Sequence, residues 1–248
     1  MISPRRSLAD VNPNNALLWG EFRTQYLLNG LQVTDNLGRY PGAPKTLLMG
    51  DGTTVSKFPT QLVGRRGLYF PLHSWVDTRI IDPFERTDKF SIFVVFSNGW
   101  TSGALIGDPD TVTALVNGIG IFINDATSLG NFIRGHYSDS TIDKNFTSGN
   151  NILVNSTAIV YNGNSNASGL FSYFNNILHP EGITFNNLSS TIKTGRAILI
   201  GSEYNGSTPD RRPLNKGIVY FAAIFPWDLT PQQIQYLDRL VRTKINQP

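Results

Sequence analysis

"GIVYFAAIFPWDLTPQQIQYLDRL", residues 217–240, sets a strand and a helix back to back. The first nine residues are apolar, aromatic or small, and they read as a buried strand. Pro226 has no N–H to give to a ladder and ends it. Thr230 is a good N-cap, Pro231 takes the first helical position, and Gln233 completes a Thr-x-x-Gln capping box. Ile234, Leu237, Leu240 and Val241 form one apolar stripe. Arg239, Arg242 and Lys244 gather where a helix dipole prefers cations. The spacing predicts a strand over 217–225 and a helix that lays its stripe on a sheet.

Upstream of this close, the chain is written in short strands. "KTLLMG", "GLYFPL", "WVDTRII", "KFSIFVVFSNG", "SGALIGD", "NGIGIFIND", "GNFIRGHYS", "NILVNSTAIVYNG", "SGLFSYFNNIL" and "RAILIGS" are apolar runs bounded by Gly, Asn or Asp. Regular short strands with turn residues between them indicate an antiparallel sandwich or barrel. In "KFSIFVVFSNG" both alternating sets are apolar, Ile92, Val94 and Phe96 against Phe93 and Val95, so that strand should be covered on both faces. Asn162–Gly163 is a good tight-turn pair and is expected to close a hairpin. No βαβ spacing and no repeat of 20–50 residues is visible.

Composition agrees. The chain has 248 residues, 40% of them apolar, with 15 Phe and 9 Tyr. Of its 18 acids only four are Glu (Glu21, Glu85, Glu181, Glu203). Asp suits turns and Glu suits helices. There is no Cys, which excludes disulfides, thiolate metal sites and a cysteine nucleophile. The net charge of +3 comes from scattered Lys and Arg, so nucleic acid is not an expected partner. "MISPRRSLADVNP" lacks the apolar core of a secretory signal, and no run reaches the ~18 apolar residues of a membrane helix. Residues 1–15 read as a polar arm and 16–248 as one domain.

Four stretches, in order, carry a family resemblance. They are "LQVTDNLGRYPGAPKT…TQLVGRRGLYFP", "DKFSIFVVFSNG", "STAIVYNGNSNASGLFSYFNNIL" and "AILIGSEYNG…NKGIVYFAAIFPWDLTPQQIQYLDRLVRTK". Together they resemble the laminin-G-like, concanavalin A-like jelly roll of bacterial and phage type. Gln233 stands where that family usually has an acid. The resemblance implies an all-β antiparallel sandwich with one short C-terminal helix, and it implies sugar binding as the usual activity.

Sugar binding needs aromatic faces with polar groups around them. Trp100, Tyr137 and Tyr204 lie among small polar residues and are the candidate stacking rings. Asp108 and Asp110 in "GDPDT", with Asn124 and Asp125 in "INDAT", are the oxygen ligands that a calcium ion would use. No other cofactor is expected. Related glucanases place catalytic carboxylates as E-x-D-x-E or E-x-D-x-x-E on one strand, and neither motif occurs here. The three His (His73, His136, His179) read as turn or edge residues. The expectation is therefore a non-enzymatic virion protein, a capsid decoration, tail or fibre module of a phage. Its partners would be other virion subunits, further copies of itself and host surface carbohydrate. The alternatives are a stand-alone carbohydrate-binding lectin module and a glucanase-type hydrolase.

Overall fold

In the computed structural model the closing strand, Gly217–Phe225, is the centre of a sheet. On one side it pairs antiparallel with Lys89–Ser97, Ile224 opposite Ile92. On the other side two short strands share its length. Leu68–Phe70 pairs with its first part and Leu18–Gly20 with its second. The structure describes residues 6–64, 66–81, 89–97, 103–107, 118–126, 130–138, 143–147, 157–164, 169–174, 177–178, 195–205, 208–211 and 217–245.

Among these residues two antiparallel sheets and a small ribbon form. The eight-stranded sheet runs Ile177–Leu178, Gly169–Phe174, Thr157–Asn164, Lys89–Ser97, Gly217–Phe225, Leu68–Phe70, Thr60–Gln61, with Leu18–Gly20 beside the closing strand. The nine-stranded sheet runs Asp143–Thr147, Gly130–Ser138, Gly118–Ala126, Gly103–Gly107, Ala197–Ile200, Val76–Ile81, Thr46–Met49, Leu31–Asp35, Tyr26–Leu28. The ribbon pairs Glu203–Asn205 with Thr208–Arg211.

Alternation decides which core each side chain joins. Phe90, Ile92, Val94 and Phe96 pack with Leu68, Phe70 and Ile224 of their own sheet against Leu47, Met49, Val76, Leu105, Ile106, Ile198 and Ile200 of the other. That is the core between the sheets. Phe93 and Val95 point the opposite way and meet Trp19, Phe221, Ala223 and Phe225, under Ile234, Leu237 and Val241 of the helix Pro231–Ile245. The eight-stranded sheet is therefore a middle layer, which is why both alternating sets of Lys89–Ser97 are apolar. The rings lock edge-on, with Trp19 5.1 Å from Phe221 and 6.3 Å from Phe225. Each buried helix side chain contributes about 1.5–3 kcal/mol of burial.

The capping box forms as read. Thr230 N–H donates to Gln233 Oε1 at 2.9 Å, and Gln233 N–H donates to Thr230 Oγ1 at 3.3 Å. Gln233 does more than a Glu could. Its Nε2 donates to the carbonyl of Ser7 at 3.0 Å. The start of the described part of the segment read as an arm, Arg6 to Val11, thus lies against the helix. Val11 is buried in the outer core, and the Arg6 guanidinium stacks 4.0 Å from the Trp227 ring centre. The opening "DNLG" also has a physical reason. Asn36 accepts from Trp19 N–H and Gly38 N–H and donates to the carbonyls of Leu17 and Pro44, all at 2.7–2.9 Å. A Cβ on Gly38 would sit 2.6 Å from the Ala16 carbonyl oxygen.

The expected turn at Asn162–Gly163 is corrected. Both residues lie inside Thr157–Asn164, paired with Phe171 and Leu170, so the hairpin closes between Asn164 and Gly169. Two-residue turn chemistry gave way to continuation of the ladder.

Candidate functional site

With one face of the eight-stranded sheet under the helix, the outer face of the nine-stranded sheet is one surface on which a site can be built. Along Ala197–Ile200, Ile198 and Ile200 enter the inter-sheet core and Leu199 turns outward, joining Trp75 and Tyr204 in a small cluster. Gly201, at φ +88°, lets the chain leave this strand, and a Cβ there would collide with the Phe70 ring. The chain then places Ser202, Glu203 and Tyr204 in buried positions. The Tyr204 hydroxyl donates to the Ala197 carbonyl at 2.9 Å, and the Arg196 guanidinium lies 5.2 Å from its ring centre. Lys57 Nζ lies 5.5 Å from the Trp75 ring centre.

Opposite Leu199 in register is Asp77. Here the ladder jumps, from Leu199–Asp77 to Ala197–Ile81, and Arg79 takes a left-handed φ of +59°. Such a bulge re-aims side chains and stores backbone strain. Thr78 Oγ1 fills it, donating to the Ile198 carbonyl at 2.7 Å and accepting from Ile80 N–H at 3.2 Å. Asp77 Oδ1 accepts the Arg79 N–H at 2.7 Å. Burial pushes the Asp77 carboxyl up, and the Arg79 N–H and charge recover only part of that. The face thus offers a carboxyl of raised pKa, two guanidinium groups and aromatic walls. Those are hydrogen-bonding groups suited to hydroxylated ligands.

The sequence-selected residues distribute unevenly. Tyr204 belongs to this face, but as a 6% exposed wall with its hydroxyl committed, so it has no open ring for stacking. Although "SEYNGS" is polar, Tyr204 sits in the strand Glu203–Asn205. Tyr137 lies on Gly130–Ser138, opposite Ile119 and Lys144. Trp100, Asp108 and Asp110 lie outside the described residues. Asn124 and Asp125 are strand residues, opposite Phe132 and Asn131. Gly107, which precedes Asp108, pairs with Gly120. Asn124 lies four residues further along, about 13 Å at strand rise. Among the described residues no group of three or more His, Asp or Glu could hold a metal ion.

Sequence reasoning missed a second polar concentration. Glu21, isolated in "WGEF", is only 3% exposed. Its Oε1 accepts from Lys244 Nζ at 2.5 Å and from Trp19 Nε1 at 3.1 Å; its Oε2 meets Arg66 at 3.1 Å and also Arg23. Burial alone would raise this carboxyl. The Lys244 and Trp19 hydrogen bonds and the charges of Lys244 and Arg23 outweigh it, and the pKa falls below 4.5. The available cue was the Trp-x-Glu alternation, which puts Glu21 on the face that holds buried Trp19.

No helix among the described residues is long and apolar enough to cross a membrane. No protein-family model and no curated protein matches the chain. Solved structures do. A mutant of Trypanosoma rangeli sialidase that displays trans-sialidase activity matches with a TM-score of 0.60 at 11% identity, over 93% of this chain and 34% of that one. The same sialidase with 2,3-difluorosialic acid, a covalent intermediate, gives 0.58 at 10% identity over 93% and 34%. A mutant of NanB sialidase from Streptococcus pneumoniae gives 0.55 at 15% identity over 71% and 28%. The chain spans about a third of the length of these structures. They correct the expectation of a non-enzymatic protein. The fold is shared with sialidases, which are enzymes, and a missing glucanase carboxylate motif is no test of such chemistry. What the likeness assigns is the fold: an antiparallel β-sandwich of the jelly-roll, lectin-like kind, found within sialidase structures.

Proposed function

We propose that the chain is a carbohydrate-binding β-sandwich module, and within that fold a laminin-G-like, concanavalin A-like jelly roll. The observation that carries this reading is the match of nearly the whole chain to a third of a sialidase, a protein seen in complex with 2,3-difluorosialic acid. The outer face around Asp77, Arg79 and Arg196 supplies the hydrogen-bonding groups, and Trp100 and Tyr137 are the proposed stacking rings. The virion reading has no comparable support.

The test is a glycan array followed by calorimetry on the isolated chain, with and without calcium, alongside an assay for sialoside hydrolysis. The expected result is saturable binding of at least one glycan class, weakened about tenfold by Trp100→Ala, as loss of an aromatic contact of ~1.5 kcal/mol requires. An array with no saturable ligand in either condition would sink the proposal.

A further inference from the structure

The Glu21 cluster carries more positive charge than one carboxylate needs. Arg23, Arg66 and Lys244 all reach Glu21, so the group holds two net positive charges. Asp238 of the same helix does not offset them, because it pairs with Arg242 at 2.8 Å. The four groups form a floor and a rim. The Glu21 side chain is 4% exposed, while Arg66, Lys244 and Arg23 are 18%, 29% and 50% exposed.

Three separate parts of the chain deliver the rim: the segment after Leu18–Gly20, the turn before Leu68–Phe70 and the last turn of the helix. The first is held under strain. Phe22, between Glu21 and Arg23, has φ +46°, and its carbonyl accepts from Gln61 Nε2 at 2.5 Å and Gly67 N–H at 3.4 Å. Non-glycine residues keep such angles only where their surroundings enforce them. Arg23 and Arg66 meet the same oxygen of Glu21, so their nearest nitrogens lie within ~6 Å, two hydrogen-bond lengths. Each guanidinium has five N–H donors in a fork suited to a planar or tetrahedral oxyanion.

We propose that Arg23, Arg66 and Lys244 form an oxyanion-binding site that takes the carboxylate or sulfate group of an acidic glycan. The glycan part rests on the carbohydrate reading above; the oxyanion part stands without it. Glu21 fixes the rim through one contact to each cation, and the remaining donors and positive charge are left for the oxyanion. Such binding weakens as salt is added.

Amide NMR titrations of the full chain test this, using sodium sulfate, glucuronate, galactose 6-sulfate and neutral galactose. Sulfate should bind the wild type, and Arg23→Gln, at the half-exposed position, should weaken it at least tenfold. Lys244→Gln should act in the same direction and covers the case in which Arg23→Gln does not fold. Glucuronate and galactose 6-sulfate should follow sulfate in needing Arg23, and galactose should be indifferent to it. Sulfate binding that is absent, or equal in wild type and variants, overturns the site. Sulfate binding without either acidic sugar overturns the glycan assignment alone. Failure of every neutral glycan on the array bears on the proposed function and leaves the sulfate result standing.

Discussion

Ser91→Ala should be among the costliest small substitutions in this protein. Ser91 is fully buried in Lys89–Ser97, opposite Phe225. Its hydroxyl donates to the Trp227 carbonyl at 2.9 Å and accepts the Leu229 N–H at 2.8 Å. Both partners are backbone groups of the turn that leads from the closing strand into the helix. Alanine removes both bonds while changing the volume little, so packing stays out of the measurement. A lost buried hydrogen bond costs about 1 kcal/mol net, and up to ~3 kcal/mol when a buried group keeps no substitute. Two such losses predict about 2–4 kcal/mol. For a chain of this size that lowers Tm by roughly 5–15 °C. Urea unfolding followed by circular dichroism reads it as a lower midpoint at constant m-value. Val63→Ala, at a 99% exposed position, is the control and should stay within ~0.5 kcal/mol. A Ser91→Ala loss under 1 kcal/mol at constant m-value would refute the idea that one hydroxyl anchors the helix turn.

Gln233→Glu keeps the acceptor that caps the helix but loses the donor to Ser7 and sets a carboxylate against a carbonyl. Helix content should be unchanged, while trypsin cleavage after Arg6 should speed up about tenfold, as loss of a ~1.4 kcal/mol tether predicts. An unchanged cleavage rate would mean that Arg6 on Trp227 holds the segment alone. Glu21, with its folded pKa below 4.5, contributes stability that is complete above that pH and is lost as pH falls through the folded value. Glu21→Gln should cost about 3 kcal/mol at pH 7, the scale of breaking a buried pair with partly exposed partners. It should also flatten the stability curve as pH falls below 4.5. An unaltered acid slope would place that titration elsewhere.

The sequence made the layers legible because alternation reports burial directly. Two apolar sets in Lys89–Ser97 required two cores, and the Thr230–Gln233 box with its stripe placed the helix over one of them. Through-space polar contacts left no such trace. Ser91 meets Trp227 across 136 positions and Glu21 meets Lys244 across 223, and local pattern carries no information at that range. The burial of Tyr204 was hidden for a related reason. Its neighbours Ser202 and Glu203 are polar, and local composition cannot tell that they are fully buried. Asn162–Gly163 failed because turn preference is weak beside a ladder that continues through it.

The position of Gly217–Phe225 has a consequence for synthesis. This strand is the seam of the middle layer, yet it is made roughly 120 residues after its partner Lys89–Ser97. At ~5–20 residues per second the older strand waits ~6–24 s with one edge unpaired. Its apolar run is long and free of Pro, the kind of segment that recruits foreign strands. The nascent protein therefore passes through an interval in which this apolar edge has no partner of its own. A chaperone that covers extended apolar segments would be expected to meet it there, and release would coincide with arrival of the strand that completes the sheet.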